Sequence, residues 1–199
     1  MQKVAVFVDW ENIRKGIFLH ATQKLHLKVD YNNVRNVMRF IYAFVDKHEY
    51  VHRIFFYVST PIKEITWHGR RIDLSNDDVY KTSSAFLDKI STEDLIAVRE
   101  GKLKFRGMLP GNIPDFIQKQ VDMLMGLDIA HLAYRQLVDK IIVLCADTDM
   151  IPALKLARFN GLQVAVGYCD DVVELSHDIK KHCDFVRAVK FKKIFSRRN

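Results

Sequence analysis

Two apolar runs in this chain each end on an aspartate. VAVFV is followed at once by Asp9, and IIVLCA by Asp147, with Asp149 two residues further on. Short apolar, β-branched runs read as buried strands, and in open parallel sheets ligands sit outside the carboxyl ends of the strands. If the two strands are neighbours, three carboxylates converge on one rim. Such a cluster repels itself, and a hard divalent cation held by carboxylate oxygens removes the repulsion. An all-oxygen donor set favours Mg²⁺ or Mn²⁺ over zinc. A lone strand-end aspartate is more readily a helix cap: Asp9 for the helix of Glu11 to His20, Asp149 for that of Pro152 to Asn160. Two acid-bearing strand ends in one small chain tip the balance toward a metal site.

The elements that must position these acids alternate along the chain. KVAVFVD and RIFFYVST read as buried strands, and ENIRKGIFLH as a helix with Ile13, Ile17, Phe18 and His20 toward one side. Asp30 is placed to cap a second helix, since Val34, Val37, Met38, Ile41, Tyr42 and Val45 follow at helical spacing. Residues Asp77 to Ile90 carry a third helical pattern. KLKFRGM reads as an edge or hairpin strand and LPGNIP as a turn. Phe116 to Leu137 is the longest helical candidate, with Pro114 where a first turn tolerates it. MIPALKLARFN, closed by Gly161, is a helix, LQVAVGY a strand, and DVVELSHDIKKHC a last helix before DFVRAV. Strands alternating with helices over nearly the whole chain predict a mostly parallel sheet covered on both faces.

Three blocks then invite comparison. VFVDWENI resembles the opening signature of the NYN domain family (LabA-like), a strand followed by Asp, two residues and Asn. KQVDMLMGLD is similar to that family's K-x-V-D helix, and LCADTDMIPALKLARFNGLQV to its S-G-D-S-D-F segment with the following helix, glycine and strand. The blocks stand in family order from the first strand to past Gly161. The resemblance implies a three-layer α/β/α fold of PIN-like (Rossmann-like) type, filling 1–199 as one domain. It also implies an endoribonuclease that hydrolyses RNA with Mg²⁺ or Mn²⁺. Carried onto this sequence, Asp9, Asn12, Lys119, Asp122, Asp147 and Asp149 match. Asp9 and Asp147 are the principal metal ligands, Asp122 reaches in from a helix, directly or through water, and Asp149 completes the shell. Asn12 orients Asp9 or a phosphate oxygen without adding charge. Cys145, Ala146 and Met150 depart from the pattern, and Thr148 keeps the hydroxyl of serine.

Around this set lie weaker candidates. Lys119, three residues before Asp122 and read on the same helical face, contacts a phosphate or pairs with Asp122. Asp128, about 120° round the helix from Asp122 at 100° per residue, belongs at most to an outer shell. Trp10 and the segment Trp67, His68, Arg70, Arg71 can stack on an unpaired base or simply pack. His131 and His177 read as structural, and Cys145, Cys169 and Cys183 as buried thiols with neither disulfide nor zinc spacing.

Composition bounds the alternatives. The chain of 199 residues, 49% hydrophobic and 28% charged, is of ordinary globular make-up. The five-residue run before Asp9 is too short for a secretory or membrane segment, which points to a cytoplasmic protein. The net charge is +7, and the segment 180–199, eight Lys or Arg against Asp184, carries all of it. Interleaved with Phe185, Phe191 and Phe195, that basic segment either attracts phosphate backbones or keeps the protein soluble. Rival functions are RNA binding without catalysis, a Toprim or haloacid-dehalogenase enzyme, whose acid patterns differ, and a nucleotide-binding module, for which no Gly-rich phosphate loop exists. An apolar edge within 63–112 would suit a homodimer.

Overall fold

A computed structural model describes residues 1–196; Arg197 and Arg198 of the basic C-terminal segment lie outside the described residues. Its centre is β1 (Gln2–Asp9), whose Val4 to Val8 are completely buried. A strand covered on both faces must be apolar at successive positions, which is why VAVFV does not alternate. On one side β1 pairs in parallel with β2 (Glu49–Ser59), and on the other with β7 (Lys140–Leu144). The full order is β6-β5-β2-β1-β7-β8-β9, where β5 is Ile96–Leu109, β6 Ile113–Lys119, β8 Gln163–Tyr168 and β9 Phe185–Ala188. All pairs are parallel except β5 with β6.

The chain fills one side of β1 first and then crosses to the other. On the way out run α1 (Trp10–Ile13), a π-helical segment (Arg14–Leu19), α2 (His20–Leu25), α3 (Val34–Tyr42) and α4 (Asp78–Ile90), with the hairpin of β3 (Glu64–Trp67) and β4 (Arg70–Asp73) after β2. The return uses α5 (Val121–Arg135), a 3₁₀ turn (Thr148–Met150), α6 (Ile151–Phe159) and α7 (His177–Lys181). These two groups cover opposite faces and build two apolar cores. The short α8 (Phe191–Phe195) joins the first core through Phe191 and Ile194. The protein is thus a three-layer α/β/α domain with a mostly parallel sheet, as the strand and helix pattern predicts.

Several expectations are corrected. Ile113–Lys119 is not the start of a helix: it pairs antiparallel with the far end of β5, and Pro114 is tolerated because β6 is an edge strand. The helix begins only at Val121, so Lys119 and Asp122 do not share a helical face. Asn33, not Asp30, caps α3; Asp30 accepts instead from the Asn32 N–H at 2.9 Å. The last helix is confined to His177–Lys181, because Ser176 caps it there. His131 and His177 are exposed rather than packed. In the basic C-terminal segment Phe191 is buried and Phe195 packs on Phe18, so these rings serve the core. Exposed apolar residues stand within 63–112, at Val79, Leu95 and Leu109, and also on α5, at Met123, Leu127 and Tyr134.

At the amino end of the sheet, Glu49 is held by Lys140 Nζ at 2.8 Å and by Arg187 Nη1 at 2.8 Å, tying β2, β7 and β9 together. Burial alone would raise the Glu49 carboxyl, but the two cations outweigh it and bring its pKa down to about 2. Because the folded value lies below the unfolded 4.5, the stabilisation is present above pH 4.5 and is lost as pH falls toward 2. Glu49→Gln, which leaves two cations without their counter-charge, is expected to cost about 3 kcal/mol. Calorimetric unfolding near neutral pH should show it, and the gap from the wild-type protein should close as pH approaches 2.

Candidate active site

The direction of the chain reverses its side of the sheet between β1 and β7, and at such switch points the loops part and leave a crevice at the carboxyl ends. Here that crevice is a cleft of about 460 Å³, and Asp9, Asp122 and Asp147 all line it. Val8 sits beside Leu144 in register, and Asp9 and Asp147, beyond the two strand ends, open into the same space, whereas Asp149 is not among the residues lining it.

The capping expectation is met by Asp9 but not by Asp149: the helix after it has no side-chain cap, and Asp147 caps the preceding turn instead. Asp9 caps α1 by accepting the Asn12 N–H at 3.1 Å, and Asp147 caps the 3₁₀ turn by accepting the Asp149 N–H at 2.9 Å. A carboxylate has two oxygens, so one can cap while the other faces the cleft. Asp122 arrives differently. Gln120 takes a left-handed backbone (φ 74°), costly for a residue with a Cβ, and turns the chain from β6 into α5. Gly101 makes this approach feasible: a Cβ there would come within 2.5 Å of Val121 Cγ2 and 2.9 Å of the Lys119 carbonyl. Asp149 is exposed beside Asp147 and within electrostatic reach of Asp122.

Asn12 ties the two acid-bearing loops together. Its backbone reaches Asp9, and its side-chain oxygen accepts the Ala146 N–H at 3.2 Å across the switch point. Asn12 thus holds Asp9 through its backbone N–H, while its side-chain oxygen serves the other loop. Cys145 is not idle either: its buried thiol lies 3.8 Å from Asp9 Oδ2 and accepts the Asp147 N–H at 3.4 Å. Burial pushes the Cys145 thiol well up, so it stays neutral between two acids. Asp128 leaves the site altogether, accepting from Arg99 at 2.7 and 2.9 Å and from the Tyr57 hydroxyl at 2.8 Å. Trp10, too, is core, stacked on Phe86 at 5.1 Å.

The cleft holds residues that the sequence pattern does not single out. Lys15 and His20 reach it from the helix after Asp9, where a π segment alters the facing of successive residues. Glu11 is there as well, but it is neutralised by Arg14 at 2.9 Å and Lys15 at 2.7 Å. The helical order after Asp9 carried a signal for Lys15. Gln118, which accepts from the Ser59 hydroxyl at 3.1 Å, carried none once its strand was read as helix.

The electrostatics are those of a site wanting a cation. Asp9 is 5% exposed, and burial first, then Asp122, Glu11 and Asp147, raise its carboxyl to about 6. Burial, then Asp147 and Asp149, raise Asp122 too. Among the described residues no three His, Cys, Asp or Glu side chains enclose an ion by themselves. The carboxylates of Asp9, Asp122 and Asp147 are the groups in this cleft that could hold a hard divalent ion.

The class of this three-layer domain is that of the PIN-like nucleases, to which the family matching nearly the whole chain belongs. More particularly, the chain belongs to the NYN domain family, which matches residues 3–189. No curated protein matches this sequence. Among solved structures it is similar to a protein of unknown function, VPA0982, from Vibrio parahaemolyticus RIMD 2210633. That likeness has a TM-score of 0.56 at 17% identity, over 96% of this chain and 94% of the other, and it bears on fold alone. The nicotinamidase SaPncA from Staphylococcus aureus aligns over 92% of this chain and 90% of its own at 15% identity, with a TM-score of only 0.34, which carries no weight.

The folded value of Asp9 lies above its unfolded 3.8, so the folded protein binds the extra proton and loses stability as pH rises from about 4 to 6. Asn at position 9 keeps the cap and removes the charge. In EDTA at pH 7.5, Asp9→Asn is expected to melt higher than the wild-type protein, by up to about 3 kcal/mol. At pH 4 the two should melt alike. A lower melting point for the variant at pH 7.5 would show that burial of this charge carries no cost.

Proposed function

We propose that this protein is a metal-dependent endoribonuclease, with Asp9, Asp122, Asp147 and Asp149 holding Mg²⁺ or Mn²⁺ and single-stranded RNA as substrate. The observation that carries the reading is the buried, charge-burdened Asp9, which shares one cleft with Asp122 and Asp147 at the switch point of a nuclease-type fold. A bound divalent ion supplies an activated water and stabilises the oxygens that attack and leave in an in-line displacement.

The chain's own groups do the rest. Asp9, Asp122 and Asp147 give three carboxylates of separate chain origin, so their spacing is fixed by the sheet and by α5 rather than by one loop. Asp149, exposed next to Asp147, offers a further acid to the same centre. Asn12 holds the two strand-end loops at constant separation. Lys15 and His20 stand where a scissile phosphate and its flanking oxygens would lie. The same proposal takes 1–199 as one domain in the cytoplasm, a setting in which the three unpaired cysteines stay reduced. Among the described residues no helix is long and apolar enough to cross a membrane.

Labelled single-stranded RNA, duplex RNA and DNA incubated with Mn²⁺, Mg²⁺ or EDTA test this directly. Internal cleavage of single-stranded RNA is expected with either metal and not with EDTA. Asp147→Asn should lower the rate by at least roughly 100-fold, and Asn12→Ala by about 10- to 100-fold, in the range of outer partners of metal ligands. RNA bound but uncut under every metal would favour the non-catalytic reading instead.

A further inference from the structure

On the β2 side two hairpins rise past the sheet, and one of them, β5–β6, lines the cleft through Gln118. β5 and β6 continue beyond the last residue paired to β2, Gly101, as an arm from Lys102 opposite Lys119 to a turn at 110–112. The β3–β4 hairpin leaves the same rim, turned tightly by His68 (φ 46°) and Gly69 (φ 74°). It lays Trp67 on the arm: its ring meets Phe105 nearly edge-on at 5.7 Å. The ring also comes within 3.5 Å of where Gly107 would carry a Cβ.

Side chains alternate along a strand, so Phe105, Phe116 and Gln118 share one face of the arm. Gln118 is itself part of the cleft wall. Phe116 follows one pleat away, about 7 Å, then Phe105 at 5.9 Å from it, then Trp67. An aromatic row therefore leads outward from the acids, and each of its three rings keeps some surface in solvent.

The arm is also cationic. Residues 102–119 hold Lys102, Lys104, Arg106 and Lys119 against Asp115 alone. Lys102 and Lys119 are direct cross-strand partners, an arrangement that destabilises a bare sheet. Among the described residues neither lysine has an acid partner. The alternation that puts Phe105, Phe116 and Gln118 on one face puts Lys102, Lys104 and Lys119 on the other, so their charge reaches a strand on the aromatic row through its field rather than by contact.

We infer that this pair of hairpins is the track for the substrate's single strand, with Trp67 stacking on an unpaired base outside the acid cleft and the arm's cations attracting its phosphates. The inference rests on the nuclease reading of the cleft and names which part of the molecule selects the substrate. Duplex RNA keeps its bases stacked inside the helix and offers no face to such a row.

The two tryptophans make this measurable, because Trp10 is buried and Trp67 is only half-buried. A ten-nucleotide uridine oligomer titrated in EDTA should quench the fluorescence saturably. Trp67→Leu should lose the quench and bind about tenfold more weakly, the size of one stacked base. Trp67→Phe, which keeps a π face and the packing on Phe105, should lose the quench but keep nearly full affinity. Replacing Lys102 and Lys119 together by Gln should flatten the salt dependence of binding, by less than the roughly 1.4 in log–log slope that two direct phosphate contacts give on a single strand. Circular dichroism establishes that each variant is folded, and should Trp67→Leu not fold, the Phe and Gln variants decide.

Unchanged affinity in Trp67→Leu, a quench that survives in Trp67→Phe, or no oligomer binding by the wild-type protein would overturn the track. The two readings fail separately. A quench and tight binding without cleavage under any metal would keep the track and sink the nuclease. Cleavage that depends on Asp147 but is indifferent to Trp67 would do the reverse.

Discussion

Placing a carboxylate at the end of the most deeply buried strand is the constraint from which the rest of the site follows. Asp9 inherits the burial of VAVFV, and water reaches it from the cleft alone. Among the described residues no cation pairs with it: its cap is a neutral N–H, its other neighbour a thiol, the acids around it raise its carboxyl further, and Lys15 of the same cleft pairs with Glu11. At the opposite end of the sheet Glu49 meets the same burial and receives two cations. The contrast separates a structural carboxylate from one left in want of a counter-charge. Proteins tolerate such a deficit where function requires it, and here it faces the one cleft that three acids share.

Much of this was legible in the sequence because the information is local. A β-branched run ending on Asp states both a strand and its carboxyl end, and two such runs state a rim. Asn12 and Asp122 were found through family motifs rather than through pattern. What stayed hidden is non-local. Ile113–Lys119 has a helical distribution of apolar residues, yet its partner is a strand that overshoots the sheet, and no periodicity within the segment encodes that. Misreading it hid Gln118 and the arm, and it put Lys119 on the wrong element.

Side chains with two plausible environments were the other gap. Trp10 follows a site aspartate yet points to the core, because the helix it begins must bury one face against Phe56 and Phe86. The aromatic residues of the basic C-terminal segment do likewise, closing the first core over Phe18. Cys145 was taken as filler, but a residue one before the loop after a buried strand touches both strand-end acids. Its hydrogen-bonding pattern is what a serine at that position would also give, which explains how this chain departs from the family's usual residue without losing the contact.

Gly101 gives the site a second kind of dependence. Asp122 owes its place to a missing side chain on a neighbouring strand, where the β6–α5 junction settles into the space that a Cβ would fill. The proposed site therefore depends on a residue with no chemistry of its own. In a library of random variants, position 101 would behave like an active-site residue, silencing the molecule while leaving its fold largely in place, and an inventory of functional groups would never nominate it.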